Sequence, residues 1–155
     1  LRKLHVPEGF KAELVAAEPL VLDPVAFDWD ERGRLWVVEM ADYPLGMDNQ
    51  GKPGGRIRIL EDTDGDGRYD RSTLFAEGLN YPNGLITWRD GVIVSAAPEI
   101  IFLRDKNGDG TASERTVLFS GFTEGNQQHP RQVGSLCTII GNSWSRGLFS
   151  FIRRA

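Results

Sequence analysis

The sequence predicts an all-β fold, and three observations support this prediction. Short runs of branched and aromatic residues recur between clusters of Gly, Asp and Asn, and no helical period competes with them. One stretch of about 40 residues occurs twice. With 155 residues, of which 40% are hydrophobic and 26% charged, the chain also has the composition of a globular unit with enough apolar material for a core.

Eight strands are predicted, in two groups of four. The first group is 25–30, 34–40, 56–60 and 72–75, and the second is 84–88, 91–97, 100–104 and 115–119. Two polar links, DERG at 30–33 and RDG at 89–91, suit hairpin turns because Gly adopts the positive φ that other residues resist. Adjacent strands are therefore expected to be antiparallel.

The internal repeat relates the two groups of strands. ILEDTDGDG at 59–67 aligns with FLRDKNGDG at 102–110, an offset of 43 residues. Upstream, PVAFDWDERGRLWVV at 24–38 corresponds to PNGLITWRDGVIVS at 82–95. Four-stranded units spaced about 40 to 45 residues apart are typical of β-propeller blades, whose sheets stack to cover their apolar faces.

We therefore predict a partial β-propeller. Two four-stranded blades occupy roughly 23–79 and 81–122, and a third unit begins near residue 125. Because a closed propeller needs about four to eight blades, the chain is expected to be a fragment that aggregates or stays partly unfolded by itself. The aromatic residues at strand spacing are expected to fill the space between stacked sheets rather than to stack on sugars: Phe27, Trp29, Trp36 and Trp88.

The two Asp-rich loops resemble calcium-binding loops in their spacing. Positions 1, 3, 5, 7 and 9 of an EF-hand-like loop are taken in the first copy by Asp62, Asp64, Asp66, Arg68 through its carbonyl, and Asp70. In the second copy they are taken by Asp105, Asn107, Asp109, Thr111 and Ser113. Thr73 and Thr116 replace the bidentate Glu of position 12. We expect a structural calcium ion, bound more weakly by the second loop; the alternative is a pair of Asx-rich turns without metal.

Composition excludes several classes of function. The net charge of −4 and the pI near 5.2 argue against a nucleic-acid surface. The single cysteine, Cys137, excludes an internal disulfide. No run of 18 apolar residues occurs and the first ten residues contain no apolar segment, so neither a membrane span nor a signal peptide is expected in this stretch.

The C-terminal part differs in charge from the rest. Residues 125–155 contain four Arg but neither Asp nor Glu, so all 22 acidic residues lie before them. We therefore divide the chain into a propeller part, 1–129, and a divergent tail, 130–155. A frameshift would explain the tail; the alternative is a divergent third blade with strands at 135–140 and 145–152.

Several motifs in order carry a resemblance to a known family. LHVPEGFKAELVAAEP, GGRIRILEDTDGDGRYDRSTLFAEGLNYPNGL and FLRDKNGDGTASERTVLFSGFTEGNQQH resemble the N-terminal propeller of the membrane-bound dehydrogenase family of Planctomycetes and relatives, over about residues 3–129. That propeller is similar to soluble quinoprotein glucose and sorbosone dehydrogenases, six-bladed enzymes that use pyrroloquinoline quinone and calcium. The resemblance implies export to the periplasm or the cell exterior, and a c-type cytochrome domain further along the full-length protein.

The resemblance also implies catalytic residues. His129 matches the base that removes the proton of the sugar hydroxyl, and Gln128, or alternatively Gln127, would orient that hydroxyl. Asp42 and Tyr43, in the long loop 42–51, are candidate substrate contacts.

Two functions follow from this reading. The first is a quinone-dependent sugar or alcohol dehydrogenase that is inactive as this isolated piece. The alternative is a non-catalytic, calcium-stabilised propeller that binds carbohydrate or protein.

Overall fold

The computed structural model describes residues 5–43 and 45–121, together with the backbone of 149–154. The strands are β1 Phe10–Ala16, β2 Pro24–Trp29, β3 Leu35–Glu39, β4 Gly55–Glu61, β5 Arg71–Leu79, β6 Pro82–Trp88, β7 Gly91–Ala96, β8 Glu99–Arg104, β9 Glu114–Ser120 and β10 Phe149–Arg154. No helix occurs among the described residues, so none there is long and apolar enough to cross a membrane.

Eight of these strands form two four-stranded antiparallel sheets. The first sheet has the order β2-β3-β4-β5 and the second β6-β7-β8-β9, so each is a simple meander. All eight predicted strands are confirmed, as is their division into two groups.

Strand β1 was missed by the sequence reading. Its residues, FKAELVA, include Lys, Ala, Glu and Leu, which favour helix by intrinsic propensity and mask the weak strand signal. β1 pairs antiparallel with β10, with Phe10 opposite Arg154. β10 thus lies outside the two four-stranded sheets. It overlaps the strand that the third-blade alternative places at 145–152, whereas the one at 135–140 lies outside the described residues.

The core lies between the two sheets. Alternate residues of each strand point to the same face, and the inward-facing residues of both sheets form one buried cluster: Trp36, Val38, Ile57, Ile59 and Phe75 from the first sheet, and Leu85, Val92, Val94, Ile101 and Leu103 from the second. Within it the rings of Trp36 and Phe75 meet edge to face at 4.7 Å. The shared core ties the sheets to each other.

A second cluster covers the opposite face of the first sheet. Leu35, Val37 and Leu60 pack there against Ala16 and Val21, which precede the sheet in the chain. Residues Leu35 to Glu39 of β3 are consequently all buried, because both faces of this strand are covered.

The opposite face of the second sheet has no such cover among the described residues. Phe119 on β9 pairs with Ile100 and is 64% exposed, whereas Ala76, which pairs with Ile57 at the same position of the first sheet, packs against the shared core. Val117 and Leu118 beside it are exposed as well. The second sheet thus presents an apolar strand where the first sheet has a packed one.

The prediction that aromatic side chains fill the space between the sheets is right for Trp36 and wrong for Trp29 and Trp88. Trp36 is buried between the sheets, but Trp29 and Trp88 are 42% and 50% exposed. Both are the last residues of their strands, so they lie beyond the region where the sheets pack. Phe27 packs against the outer cluster of the first sheet, not between the sheets.

The two hairpin turns differ in how they close. Gly33 has a φ of 75° as expected. In the second hairpin Trp88 pairs with Gly91, and it is Arg89 that has the positive φ, 54°. Gly91 serves a different purpose, because a Cβ there would lie 2.2 Å from the carbonyl oxygen of Leu103.

Candidate functional site

The loops collect at two ends of the sheets because neighbouring strands run in opposite directions. One end, here called the acidic-loop end, carries the hairpin turns and both Asp-rich loops: 30–34, 62–70, 89–90 and 105–113. The other, the long-loop end, carries 40–54, 80–81 and 97–98. Asp28 of the first sheet is hydrogen-bonded to Thr87 of the second near the acidic-loop end. Its Oδ2 accepts hydrogen bonds of 2.9 Å from the backbone N–H and from the hydroxyl of Thr87.

Asp62 organises the first Asp-rich loop. Its Oδ1 accepts a hydrogen bond from the N–H of Gly65 at 2.7 Å, and its Oδ2 accepts one from Gly67 at 2.9 Å. Both glycines have positive φ, which turns their N–H groups inward. Desolvation alone would raise the pKa of Asp62, but these donors outweigh it and hold the pKa below its ordinary value.

Three carboxylates of this loop come together. Asp62, Asp64 and Asp70 each offer an oxygen, and the three oxygens lie within 4.8 Å of one another. Oxygen atoms at such spacing can share one hard cation, since calcium takes oxygen ligands at about 2.3–2.6 Å. Asp70 also accepts hydrogen bonds from the Thr63 hydroxyl at 2.7 and 2.9 Å, which holds its carboxylate toward the loop.

Asp66 and Arg68 stand apart from this trio. The Oδ1 of Asp66 accepts a hydrogen bond from the N–H of Arg68 at 2.8 Å, and both residues are exposed. The spacing pattern predicts five ligands here, whereas the carboxylates that the structure brings together are those at positions 1, 3 and 9.

The second loop repeats the hydrogen bonds of the first with fewer charges. The Gly110 N–H, at 2.8 Å from Oδ2 of Asp105, contributes most to holding the pKa of Asp105 below its ordinary value. Ser113 takes the structural role of Asp70, since its hydroxyl oxygen accepts the N–H of Lys106 at 2.9 Å.

The remaining predicted ligands of the second loop are engaged locally. Asn107 donates its N–H to Oδ1 of Asp105 at 2.9 Å, and Thr111 donates its N–H to Oδ1 of Asp109 at 2.9 Å. Among the described residues, the second loop contains no group of three carboxylates like that of the first. The weaker cation binding of this loop stays a prediction.

Glu39 is a buried charge at the long-loop end that the sequence reading overlooked. Its side chain is fully buried, with the Nε of Arg58 at 3.0 Å and that of Arg56 at 3.4 Å. It also accepts the N–H of Leu22 at 2.7 Å, which fastens the segment before β2. The detectable signal was a lone Glu ending the apolar run LWVVE, opposite a strand reading RIR.

Asp42 is buried rather than open to a substrate. It is 1% exposed, and its Oδ2 accepts hydrogen bonds from the N–H groups of Gly54 and Tyr81 at 3.2 and 3.0 Å. The carboxylate therefore closes the long loop onto the start of the second sheet. Its neighbour Tyr43 is 45% exposed.

The two residues assigned to catalysis, Gln128 and His129, lie outside the described residues. They stay predictions. The segment that leads to them leaves β9 at Ser120, which pairs with Glu99 at the long-loop end.

Solved structures with a similar fold are carbohydrate-related enzymes. The PQQ domain of pyranose dehydrogenase from Coprinopsis cinerea, in its holo form, aligns with a TM-score of 0.55 and 20% identity over 77% of this chain and 26% of its own. Two structures of a family AA12 carbohydrate-active enzyme from Trichoderma reesei, described as an iodide and a calcium structure, align with TM-scores of 0.53 and 0.52 at 17% identity. Each covers 76% of this chain and 27% of its own. At such identities the likeness shows the fold alone.

The chain spans about a quarter of the length of those solved structures. A search of the curated proteins found no match. A family model described as a domain of unknown function, DUF7133, matches residues 1–138. Because that match covers most of the sequence, the chain belongs to the DUF7133 family.

Proposed function

We propose that this chain is a segment of a quinoprotein-type, dehydrogenase-like β-propeller, which in its complete form moves a hydride from a sugar or alcohol hydroxyl to pyrroloquinoline quinone. The observation that carries the proposal is a pair of consecutive four-stranded sheets stacked over one core, with a fold similar to the PQQ domain of a pyranose dehydrogenase. Since two blades cannot surround an axis, we expect no catalysis from the isolated chain.

The apolar outer face of the second sheet supports the propeller arrangement. In the second sheet, Phe119 and Phe102 take the positions that Ala76 and Ile59 take in the first, where both residues contact the core shared with the second sheet. A further sheet that docked on Phe119 and Phe102 in the same way would continue the stack. Burial of this face would then remove the exposed strand that β9 now presents.

Chemistry in the complete protein is assigned to the long-loop end. His129, with an ordinary pKa near 6.5, would take the proton of the substrate hydroxyl while Gln128 holds that hydroxyl in position. The segment that carries both residues leaves β9 at this end. The quinone, when bound, would supply the hydride acceptor.

The described residues do not by themselves make a quinone site. The quinone carries three carboxylates and calls for cationic partners. At the long-loop end, Arg56 and Arg58 are already paired with the buried Glu39. Groups that hold the quinone would therefore come from other parts of a longer chain.

Calcium is proposed as a structural ion of the first Asp-rich loop. Asp62, Asp64 and Asp70 supply a hard oxygen donor set of the kind calcium prefers. Asp66 and the carbonyl of Arg68, which the spacing also predicts as ligands, lie outside this group and are not needed for the proposed site. The second loop is proposed as a weaker site, with ligands drawn from Asp105, Asn107, Asp109, Thr111 and Ser113.

The biological setting is also a proposal. The resemblance over residues 3–129 supports membership of the membrane-bound dehydrogenases of Planctomycetes and relatives. A c-type cytochrome domain would then receive the electrons, and the protein would act in the periplasm or outside the cell.

The test is quinone-dependent reduction of an electron-acceptor dye by a longer family protein that contains this segment. With sugars and simple alcohols as substrates, we expect turnover only when pyrroloquinoline quinone is added. Replacing His129 by Gln should abolish turnover while leaving quinone binding intact.

The matched control is His5→Gln, because His5 is the other histidine and is exposed. This variant should reduce dye as fast as the parent protein. Equal turnover by both variants would remove His129 from the mechanism, and quinone-independent turnover would remove the quinoprotein assignment.

A further inference from the structure

A cleft opens between the two sheets at the acidic-loop end. Its volume is about 530 Å³, within the range of about 300–1,000 Å³ typical of small-molecule sites. The hairpin turns of both sheets form its walls, and Ile59 and Phe75 of the shared core lie at its base. The second Asp-rich loop contributes Asp105 to the rim.

Two half-exposed tryptophans line this cleft. Trp29 and Trp88 are 42% and 50% exposed, and both belong to the lining. The indole N–H of Trp29 donates a hydrogen bond to the Tyr69 hydroxyl at 2.9 Å, and the Arg89 guanidinium lies 5.7 Å from the centroid of the Trp88 ring. These contacts hold the rings in place, so that little side-chain entropy would be lost on binding a ligand.

Polar groups of the first sheet are equally fixed at the cleft. The Oδ2 of Asp30 accepts hydrogen bonds from the Nε–H of Arg34 at 2.7 Å and from the indole N–H of Trp36 at 3.0 Å. Desolvation would raise the pKa of Asp30, yet these donors keep it below its ordinary value. Its other oxygen accepts the N–H groups of Arg32 and Arg34 at 2.9 and 3.0 Å, so Asp30 fixes this wall of the cleft and leaves ligand contacts to its neighbours.

The lining is nearly balanced in charge. Its acidic members are Asp30, Glu31, Asp90 and Asp105, and its basic members are Arg32, Arg34 and Arg89. A phosphate or a polyanion calls for an excess of cations, and an organic cation calls for an excess of carboxylates. A neutral ligand that offers hydroxyl groups and an apolar face satisfies both the charged pairs and the indole rings.

We propose that this cleft binds a neutral carbohydrate, with a sugar ring lying against Trp29 or Trp88 and its hydroxyls bonded to the adjacent Asp and Arg side chains. The cleft is at the opposite end of the sheets from the long loop, so it is separate from the mouth assigned to catalysis. It would hold a saccharide without transforming it. The proposal does not depend on the quinone.

Isothermal titration of the longer family protein that contains this segment with cellotetraose, xylotetraose and mannotetraose tests the proposal. We expect at least one of these neutral tetrasaccharides to bind, and Trp88→Ala to weaken that binding about tenfold or more through loss of the ring contact. Trp88→Phe, which keeps a ring, should retain most of the affinity and shows that a loss in the Ala variant is not due to misfolding.

Phe10→Ala is the matched control, because Phe10 is 44% exposed on β1 and does not line the cleft. It should bind as the parent does. In the longer family protein, Trp88→Ala should lose tetrasaccharide binding but keep its dye reduction, which separates this site from the proposed catalytic one. Absence of binding by all three saccharides, or equal binding by Trp88→Ala and Phe10→Ala, would overturn the proposal.

Discussion

Calcium binding by the first Asp-rich loop can be tested with two substitutions that differ by two positions. Asp64→Asn and Asp66→Asn remove the same charge from exposed residues of one loop. The spacing pattern makes both residues ligands, whereas the structure groups only Asp64 with Asp62 and Asp70. The two variants should therefore differ in calcium affinity.

The expected difference follows from screened electrostatics. In water, two unit charges 4 Å apart interact by about 1 kcal/mol, so a divalent ion and a carboxylate interact by about 2 kcal/mol, or roughly 30-fold in affinity. The water limit applies because Asp64 is exposed. Asp64→Asn should thus weaken calcium binding about 30-fold. Asp66→Asn should weaken it about threefold or less, because Asp66 lies outside the trio.

Isothermal titration with calcium chloride at low ionic strength measures both affinities. Magnesium serves as a second ion that should bind more weakly, because it demands near-ideal octahedral geometry. Equal loss of affinity in the two variants would refute the inference that the three grouped carboxylates form the site. A parent chain that binds no calcium would refute the site altogether and leave the loop as a metal-free turn.

Three other predictions concern the scaffold. Glu39→Ala should lower the free energy of unfolding by about 3–5 kcal/mol, because it leaves Arg56 and Arg58 without their buried partner. The control Glu61→Ala removes a more exposed pair with Arg71 and should lower it by about 1 kcal/mol or less. Equal urea unfolding midpoints for the two variants would contradict this difference. Gly91→Ala should lower the melting temperature through a clash with the Leu103 carbonyl, at a cost of about 1–3 kcal/mol, and an unchanged melting temperature would show that β7 and β8 can separate there. The Asp62 and Asp105 loops should stay formed at pH 5 and loosen only below pH 3.8, because a lowered carboxylate pKa gives stability that is present above the ordinary value of 3.8 and lost as pH falls through the folded value. Hydrogen exchange of the Gly67 and Gly110 amides measures this. Fast exchange of both amides already at pH 5 would argue against these hydrogen bonds.

Much of the fold could be predicted from the sequence because its signals are local. The strands on both sides of each Asp-rich loop alternate in hydrophobicity, and the repeat at an offset of 43 residues identifies the unit. Strand β1 was not predicted, because its composition favours a helix and because its partner, β10, lies at the other end of the chain. Pairing over that distance leaves no local signature.

The site was harder to predict than the fold. Spacing alone could not show that Asp66 accepts the N–H of Arg68 and is not grouped with the other three carboxylates. The exposure of Trp29 and Trp88 depends on where each strand ends relative to the packed region. The burial of Glu39 depends on both faces of β3 being covered, which is a property of the assembled sheets. Each of these features is set by tertiary packing.

A crystal structure of a longer family protein, in which this segment is followed by further repeats, tests the central claim most directly. We predict that a third four-stranded sheet packs against Phe102 and Phe119, and that Phe119, which is 64% exposed here, becomes buried. A structure in which Phe119 stays open to solvent, or in which a helix covers it, would contradict the propeller and the function proposed from it.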